Sequence, residues 1–125
     1  MKKIVKTNAA PDAIGPYSQG VIHNGILYCS GQIALIPGSM EIANGGIKEQ
    51  ALQVMENMKS VVEAAGSNMD NVLKCTIFLA DMDDFAAVNE VYGRYFKSDP
   101  PAREAVAVKT LPKNVMVEIS CIAAV

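Results

Sequence analysis

Apolar positions along the chain change their period several times, and each change marks an element. Between residues 46 and 65, Ile47, Ala51, Val54, Met55, Met58, Val61, Val62 and Ala65 recur at helical steps, while Lys48, Glu49, Glu56, Lys59 and Glu63 fill the other side. That is the 3.6-residue period of an amphipathic helix. Gly66 is placed to terminate it. The methionines in this stripe read as flexible core fillers. The next run, Val72 to Ala80, is β-branched and apolar, which predicts an inner strand. Asp81, Asp83 and Asp84 then supply capping and first-turn acids for a second helix. Its apolar face is Phe85, Val88, Tyr92, Tyr95 and Phe96.

Turn chemistry divides the rest. Gly20–His23 and Ile26–Ser30 flank Asn24-Gly25, the strongest short hairpin signal, because a type I′ turn needs positive φ at both central residues. A short strand is expected from Lys3 to Lys6. The two prolines and the glycine between Ala10 and Tyr17 predict a loop. Pro100-Pro101 close the second helical region. Two more strands follow near 102–109 and 115–124, joined through Leu111-Pro112-Lys113-Asn114. The order β-β-β-α-β-α-β-β predicts an α+β fold, with a mixed or antiparallel sheet and both helices on one face. Strands 72–80 and 115–124 read as apolar on both faces. With only two helices available, the uncovered face calls for a second covering layer, and another subunit would supply it.

Composition sharpens that expectation. The 125 residues are 50% hydrophobic and 19% charged, against a usual ~25% charged. A small domain with so few charges has difficulty covering its own surface, and burial in an oligomer is one solution. The length suits a single domain spanning residues 1–125. There is no long apolar run for a membrane span, and the basic start Met1-Lys2-Lys3 lacks the apolar segment of a secretory signal. Eleven basic and 13 acidic side chains give a net charge of −2. That argues against a binder that works by neutralising phosphates.

Cys29, Cys75 and Cys121 are odd in number, evenly spaced and never close enough for CxxC. They read as buried small hydrophobes in a reducing, cytoplasmic setting. One histidine, His23, makes zinc improbable and leaves no serine–histidine triad. Helix capping accounts for the acids at 81–84 without a metal.

Two charges stand out in the last strands. Arg103 shares a face with Ala105 and Ala107, a row of small residues that leaves room around a guanidinium. It can grip a carboxylate bidentately or sit in a surface ion pair. Glu118 is the single charge between Val115 and Val125. Such a carboxylate tends to have a raised pKa and can serve as a general acid or base. It can equally form a structural pair with Arg103 if their strands adjoin. Tyr17-Ser18 and Ser30-Gly31-Gln32 lie at strand ends, where ligand contacts concentrate.

Read together, Gly15-Pro16-Tyr17-Ser18-Gln19, Cys29-Ser30-Gly31-Gln32-Ile33, Asn89–Phe96, Pro101-Ala102-Arg103, Leu111-Pro112 and Val117-Glu118-Ile119 resemble the RidA (YjgF) family, in the family's order and over nearly the whole chain. The resemblance implies a chorismate-mutase-like fold of the bacillus type. It implies a homotrimer whose sheets form a central barrel, with clefts between subunits. The activity implied is deamination of 2-imino acids (2-iminopropanoate, 2-iminobutanoate) to 2-oxo acids and ammonia, with neither metal nor organic cofactor. Arg103 matches the carboxylate-binding arginine and Glu118 the acid that activates water. Tyr17, Ser30, Gly31 and Asn89 match pocket-lining residues. Ala105 stands where many members have cysteine, so a thiol contact to substrate is absent. The same fold also leaves room for a 2-oxo-acid-binding regulatory protein or for a ribonuclease or translation inhibitor. Fold analogy alone admits a chorismate mutase.

Overall fold

The computed structural model describes residues 1–125 and follows the predicted element order. Six strands form one sheet: β1 (Lys3–Val5), β2 (Gly20–His23), β3 (Ile26–Gln32), β4 (Val72–Leu79), β5 (Ala102–Ala107) and β6 (Val117–Ala124). Two helices, α1 (Ile47–Ala64) and α2 (Phe85–Gly93), cover one side of it. The β2–β3 hairpin turns at Asn24 (φ 51°) and Gly25 (φ 75°), the two positive values that a type I′ turn requires.

α1 begins where the Glu49 carboxylate accepts a hydrogen bond from the Gly46 amide at 2.8 Å. It ends in a Schellman motif, with Gly66 N–H donating to Glu63 O and Ser67 N–H to Val62 O. The predicted stripe is the buried one: Val54, Met55, Met58, Val61 and Val62 have no solvent exposure. Burying one such aliphatic side chain contributes about 1.5–3 kcal/mol. α2 buries Val88, Val91 and Tyr92. Tyr95 and Phe96 pack on the same core just past its last turn. Asp81 caps the 3-10 turn at Met82–Asp84 that leads into α2, accepting from the Asp83 amide.

The strand order is β1-β2-β3-β6-β4-β5. All pairs are antiparallel except β4–β5, which is parallel and joined across α2. β6 therefore enters between β3 and β4, and β5 is left at an edge. Leu27, Cys29, Cys75, Ile77, Leu79, Val117, Ile119 and Cys121 face the helices and are buried. The three thiols lie in one row, Cys29 opposite Cys121 and Cys121 opposite Cys75. They are free and buried, as small hydrophobes should be. Burial pushes the Cys75 thiol up to about 12.

The other face of the sheet has no helix on it. Ile4, Val21, Tyr28 and Ile122 follow one another across β1, β2, β3 and β6 in a single row, and Ile4 and Tyr28 are each 51% exposed. One expectation needs correction here. β4 is uniformly apolar only toward the helices, and its open face mixes polar and apolar side chains. An irregularity between Val72 and Lys74 resets its alternation, so Lys74, Thr76 and Phe78 occupy the open face. Lys74 and Thr76 both bind Glu104 of β5. No helix is long and apolar enough to cross a membrane.

Candidate functional site

The seven residues singled out in the sequence fall into two groups on opposite faces of the sheet. Alternation along β6 sends Val117, Ile119 and Cys121 inward and Glu118 outward. β3 carries a bulge at the matching level: from Cys29 to Gln32 it advances one residue more than β6 does from Cys121 to Ile119. The bulge brings Gly31 against the Glu118 carboxylate. A Cβ at Gly31 would lie 2.5 Å from Oε2. Only glycine lets the backbone approach so closely.

Glu118 is half-buried and has neither an ion pair nor a side-chain hydrogen bond within the chain. Burial raises its pKa above the ordinary carboxylate value. It lines a cavity of about 460 Å³ together with Tyr17, Gly31, Ile33, Met40 and Lys113. The Pro112–Asn114 turn reaches this cavity through two left-handed residues in succession, Lys113 (φ 56°) and Asn114 (φ 55°). Non-glycine residues held this way cost free energy and concentrate at functional sites.

Tyr17 belongs to the loop before β2, and Gln19 fixes that loop. The Gln19 side chain is 3% exposed. Its Oε1 accepts from the Thr7 amide at 2.7 Å, and its Nε2 donates to Thr7 O at 3.0 Å and Pro11 O at 2.8 Å. Ser30 fastens the same loop from the other side, its hydroxyl donating to Ser18 O at 2.5 Å. Ser30 thus holds the wall of the cavity without being part of its lining.

Arg103 faces the other way. It is the register partner of Cys75, on the helix side of the edge strand β5. Ala105 follows on the same face, half-buried against the core. The guanidinium carbon stands 5.3 Å over the Phe85 ring and 5.0 Å over the Tyr92 ring. Its Nη1 donates to Asn89 Oδ1 at 2.6 Å. No carboxylate of the chain lies within ion-pair distance, and the guanidinium is exposed. The structural pair between Arg103 and Glu118 is therefore excluded within one chain. Their strands do not adjoin, because β4 lies between them, and their side chains leave opposite faces.

Sequence reasoning placed Phe85 and Tyr92 on a helix face without seeing what they hold. Their spacing with Asn89, four and then three residues, was the available signal. Gln19 and Lys113 gave no periodic signal, since neither a buried loop glutamine nor a left-handed lysine has one, and Gln19 entered only as the last residue of the Gly15–Gln19 motif.

Comparison with known proteins places these features in a family. Residues 7–125 match the model of the family described as Endoribonuclease L-PSP. Among relatives, the human 2-iminobutanoate/2-iminopropanoate deaminase is 46% identical over 98% of this chain and 90% of its own. A crystal structure from Thermotoga maritima is 47% identical, with a TM-score of 0.97 over 100% of this chain and 98% of its own. The Escherichia coli protein TdcF, solved with bound serine, is 42% identical, with a TM-score of 0.94 over 98% of each chain. The chain belongs to the L-PSP endoribonuclease family, which is the RidA (YjgF) family.

Proposed function

We propose that this member of the RidA family hydrolyses small 2-imino acids, 2-iminopropanoate and 2-iminobutanoate, to 2-oxo acids and ammonia. The observation that carries the reading is the division of the site. An unpaired, half-buried carboxylate lines a cavity on one face, and an oriented guanidinium without a carboxylate partner waits on the other. A substrate with one carboxylate and one hydrolysable C=N bond needs both. Neither face of one chain provides the two together, so a second copy must supply the missing half.

The assembly we propose is a homotrimer in which the open sheet faces pack around a central barrel. The row Ile4, Val21, Tyr28 and Ile122, exposed at Ile4 and Tyr28 and half-buried at Val21 and Ile122, supports it, because apolar surface of this kind marks an interface. Arg103 of one copy would hold the substrate carboxylate through paired N–H donors. Tyr17 and the backbone at Gly31 in the next copy would line the reacting end. Glu118, as carboxylate, takes a proton from water while the oxygen attacks the protonated imine carbon. The resulting tetrahedral carbon carries OH and NH2. Glu118 returns its proton to the nitrogen and, as carboxylate again, takes the hydroxyl proton while the C–N bond breaks, so ammonia leaves as the C=O bond forms. No metal or organic cofactor enters these steps. The imine is already electrophilic, so positioning and one acid–base group suffice.

The human deaminase, at 46% identity, supports this chemistry, and TdcF with bound serine supports a site for a small amino-acid-like carboxylate. The cytoplasm, where 2-imino acids would arise, is the compartment we propose. The family's description also carries a ribonuclease reading, but 11 basic against 13 acidic residues give no cationic surplus to hold RNA.

The test is release of ammonia and 2-oxo acid from 2-iminopropanoate generated in situ by a dehydratase. Acceleration over the spontaneous reaction is expected. Binding of 2-oxobutanoate in calorimetry without any acceleration would instead support a sensor.

A further inference from the structure

We propose that Phe85, Asn89 and Tyr92 act as a positioning clamp, presenting one defined edge of the Arg103 guanidinium to the substrate carboxylate. The proposal rests on the imine-hydrolysis reading for its substrate, and on the geometry of the chain for everything else.

Arg103 sits on an edge strand and is exposed, so its long side chain would be free to sample many rotamers. Three residues of α2 remove that freedom. Phe85, Asn89 and Tyr92 lie on one face of the helix, one turn apart. The two rings place their faces toward the guanidinium carbon at 5.3 and 5.0 Å, within cation–π range. Asn89 then fixes rotation about the remaining axis. Its Oδ1 accepts from Nη1 at 2.6 Å, and Arg103 makes no other side-chain hydrogen bond in the chain. The Nη2 and Nε donors are thus left unspent along one edge, in the spacing that a carboxylate accepts bidentately.

Tyr92 anchors the clamp to the core. It is 4% exposed and stacks on Phe96 with ring centroids 4.8 Å apart. Its hydroxyl is buried near the Cys75 thiol, yet finds no hydrogen bond of good geometry. A phenylalanine would fill the apolar surroundings as well, so the ring rather than the hydroxyl does the positioning.

The experiment combines kinetics with a spectroscopic readout. The chain has only two arginines, Arg94 and Arg103, so an arginine Nε–Hε nuclear magnetic resonance spectrum holds two side-chain signals. Loss of one in Arg103→Lys assigns it. Two neighbouring rings should shift the Arg103 signal away from that of exposed Arg94. Phe85→Leu keeps apolar bulk at a half-buried position. We expect it to move the Arg103 signal toward Arg94 and to raise KM for 2-iminopropanoate about two- to fivefold, with kcat within about a factor of two. Phe85→Tyr should restore both, and Tyr92→Phe should leave the signal in place. A merely structural role would lower the melting temperature and move neither readout. An unmoved Arg103 signal in Phe85→Leu, or a moved signal with unchanged KM, would overturn the clamp. If the wild type fails to hydrolyse imines, the imine reading falls. The Arg103 signal and the 2-oxobutanoate affinity of Phe85→Leu then decide the clamp by themselves.

Discussion

Arg103 and Glu118 lie on opposite faces of one sheet, separated by β4, with Cys75 as the register partner of the first and Phe78 of the second. No rotamer change can bring them together within a chain, because the sheet and its buried core stand between. If both serve one reaction, the reaction belongs to an interface between copies.

Removing the guanidinium should cost a charge-assisted bond to the substrate carboxylate, worth about 1.5–3 kcal/mol. Arg103→Ala is expected to lower kcat/KM by roughly ten- to over a hundredfold on that scale. Arg103→Lys should recover little, since a lysine ammonium cannot offer the planar fork. Steady-state kinetics with 2-iminopropanoate checks both. Near-wild-type rates in Arg103→Ala would remove the arginine from the site.

Gly31→Ala tests the approach of the β3 bulge to Glu118. The new Cβ would meet Oε2 at 2.5 Å, so the carboxylate must move. Misplacement by about 1 Å can cost a hundredfold. We expect kcat to fall by at least about tenfold, while the melting temperature falls only a few degrees because the carboxylate can swing into the cavity. Unchanged kcat would mean that the position of Glu118 does not matter.

The pH dependence follows from the raised pKa of Glu118, whose cause is burial. As a base it must be ionised in the free enzyme. The acid limb of kcat/KM should therefore titrate above the ordinary 4.5 of a glutamate. Glu118→Gln should abolish that limb together with most of the activity. Stability has the opposite sign. A carboxyl whose folded pKa is raised favours the folded state below the unfolded pKa, and that advantage is lost as pH rises through the folded value. Glu118→Gln, always neutral, should therefore melt higher than wild type at pH 7, and the gap should close as pH falls toward 4. Melting curves across that range decide it. A variant less stable at pH 7 than at pH 4, relative to wild type, would contradict the assignment.

Gln19→Ala removes the four bonds that pin the loop bearing Tyr17 and strands backbone groups at Thr7, Ala10 and Pro11. Leaving such groups unsatisfied costs about 1–3 kcal/mol each. Hydrogen exchange should quicken over residues 7–18, and KM should rise through loss of order at Tyr17. Unchanged exchange there would show that the loop is held by other contacts.

Much of this was legible in the sequence because it is local. The α1 stripe, the Asn24-Gly25 turn and the alternation that sets Arg103 beside Ala105 each follow from a period or a turn rule, and the structure has them. The insertion of β6 between β3 and β4 has no local signature, so the sequence left open whether Arg103 and Glu118 were neighbours. The open face of β4 was misjudged for a related reason. One extra residue near Leu73 shifts the alternation, and a bulge is not visible in a run of apolar residues. The contact between Asn89 and Arg103 joins a helix to an edge strand across a loop, and only the packing of α2 reveals it.

The most direct test of a shared site is complementation between two inactive variants. Arg103→Ala and Glu118→Ala are co-expressed, and the mixed oligomers are assayed for 2-iminopropanoate hydrolysis. In a ring where each site takes Arg103 from one copy and Glu118 from the next, random mixing rebuilds about a quarter of the sites. The account predicts that activity returns to roughly that fraction of wild type, from two chains that are each nearly inactive. Mixed oligomers no more active than either variant alone would contradict it.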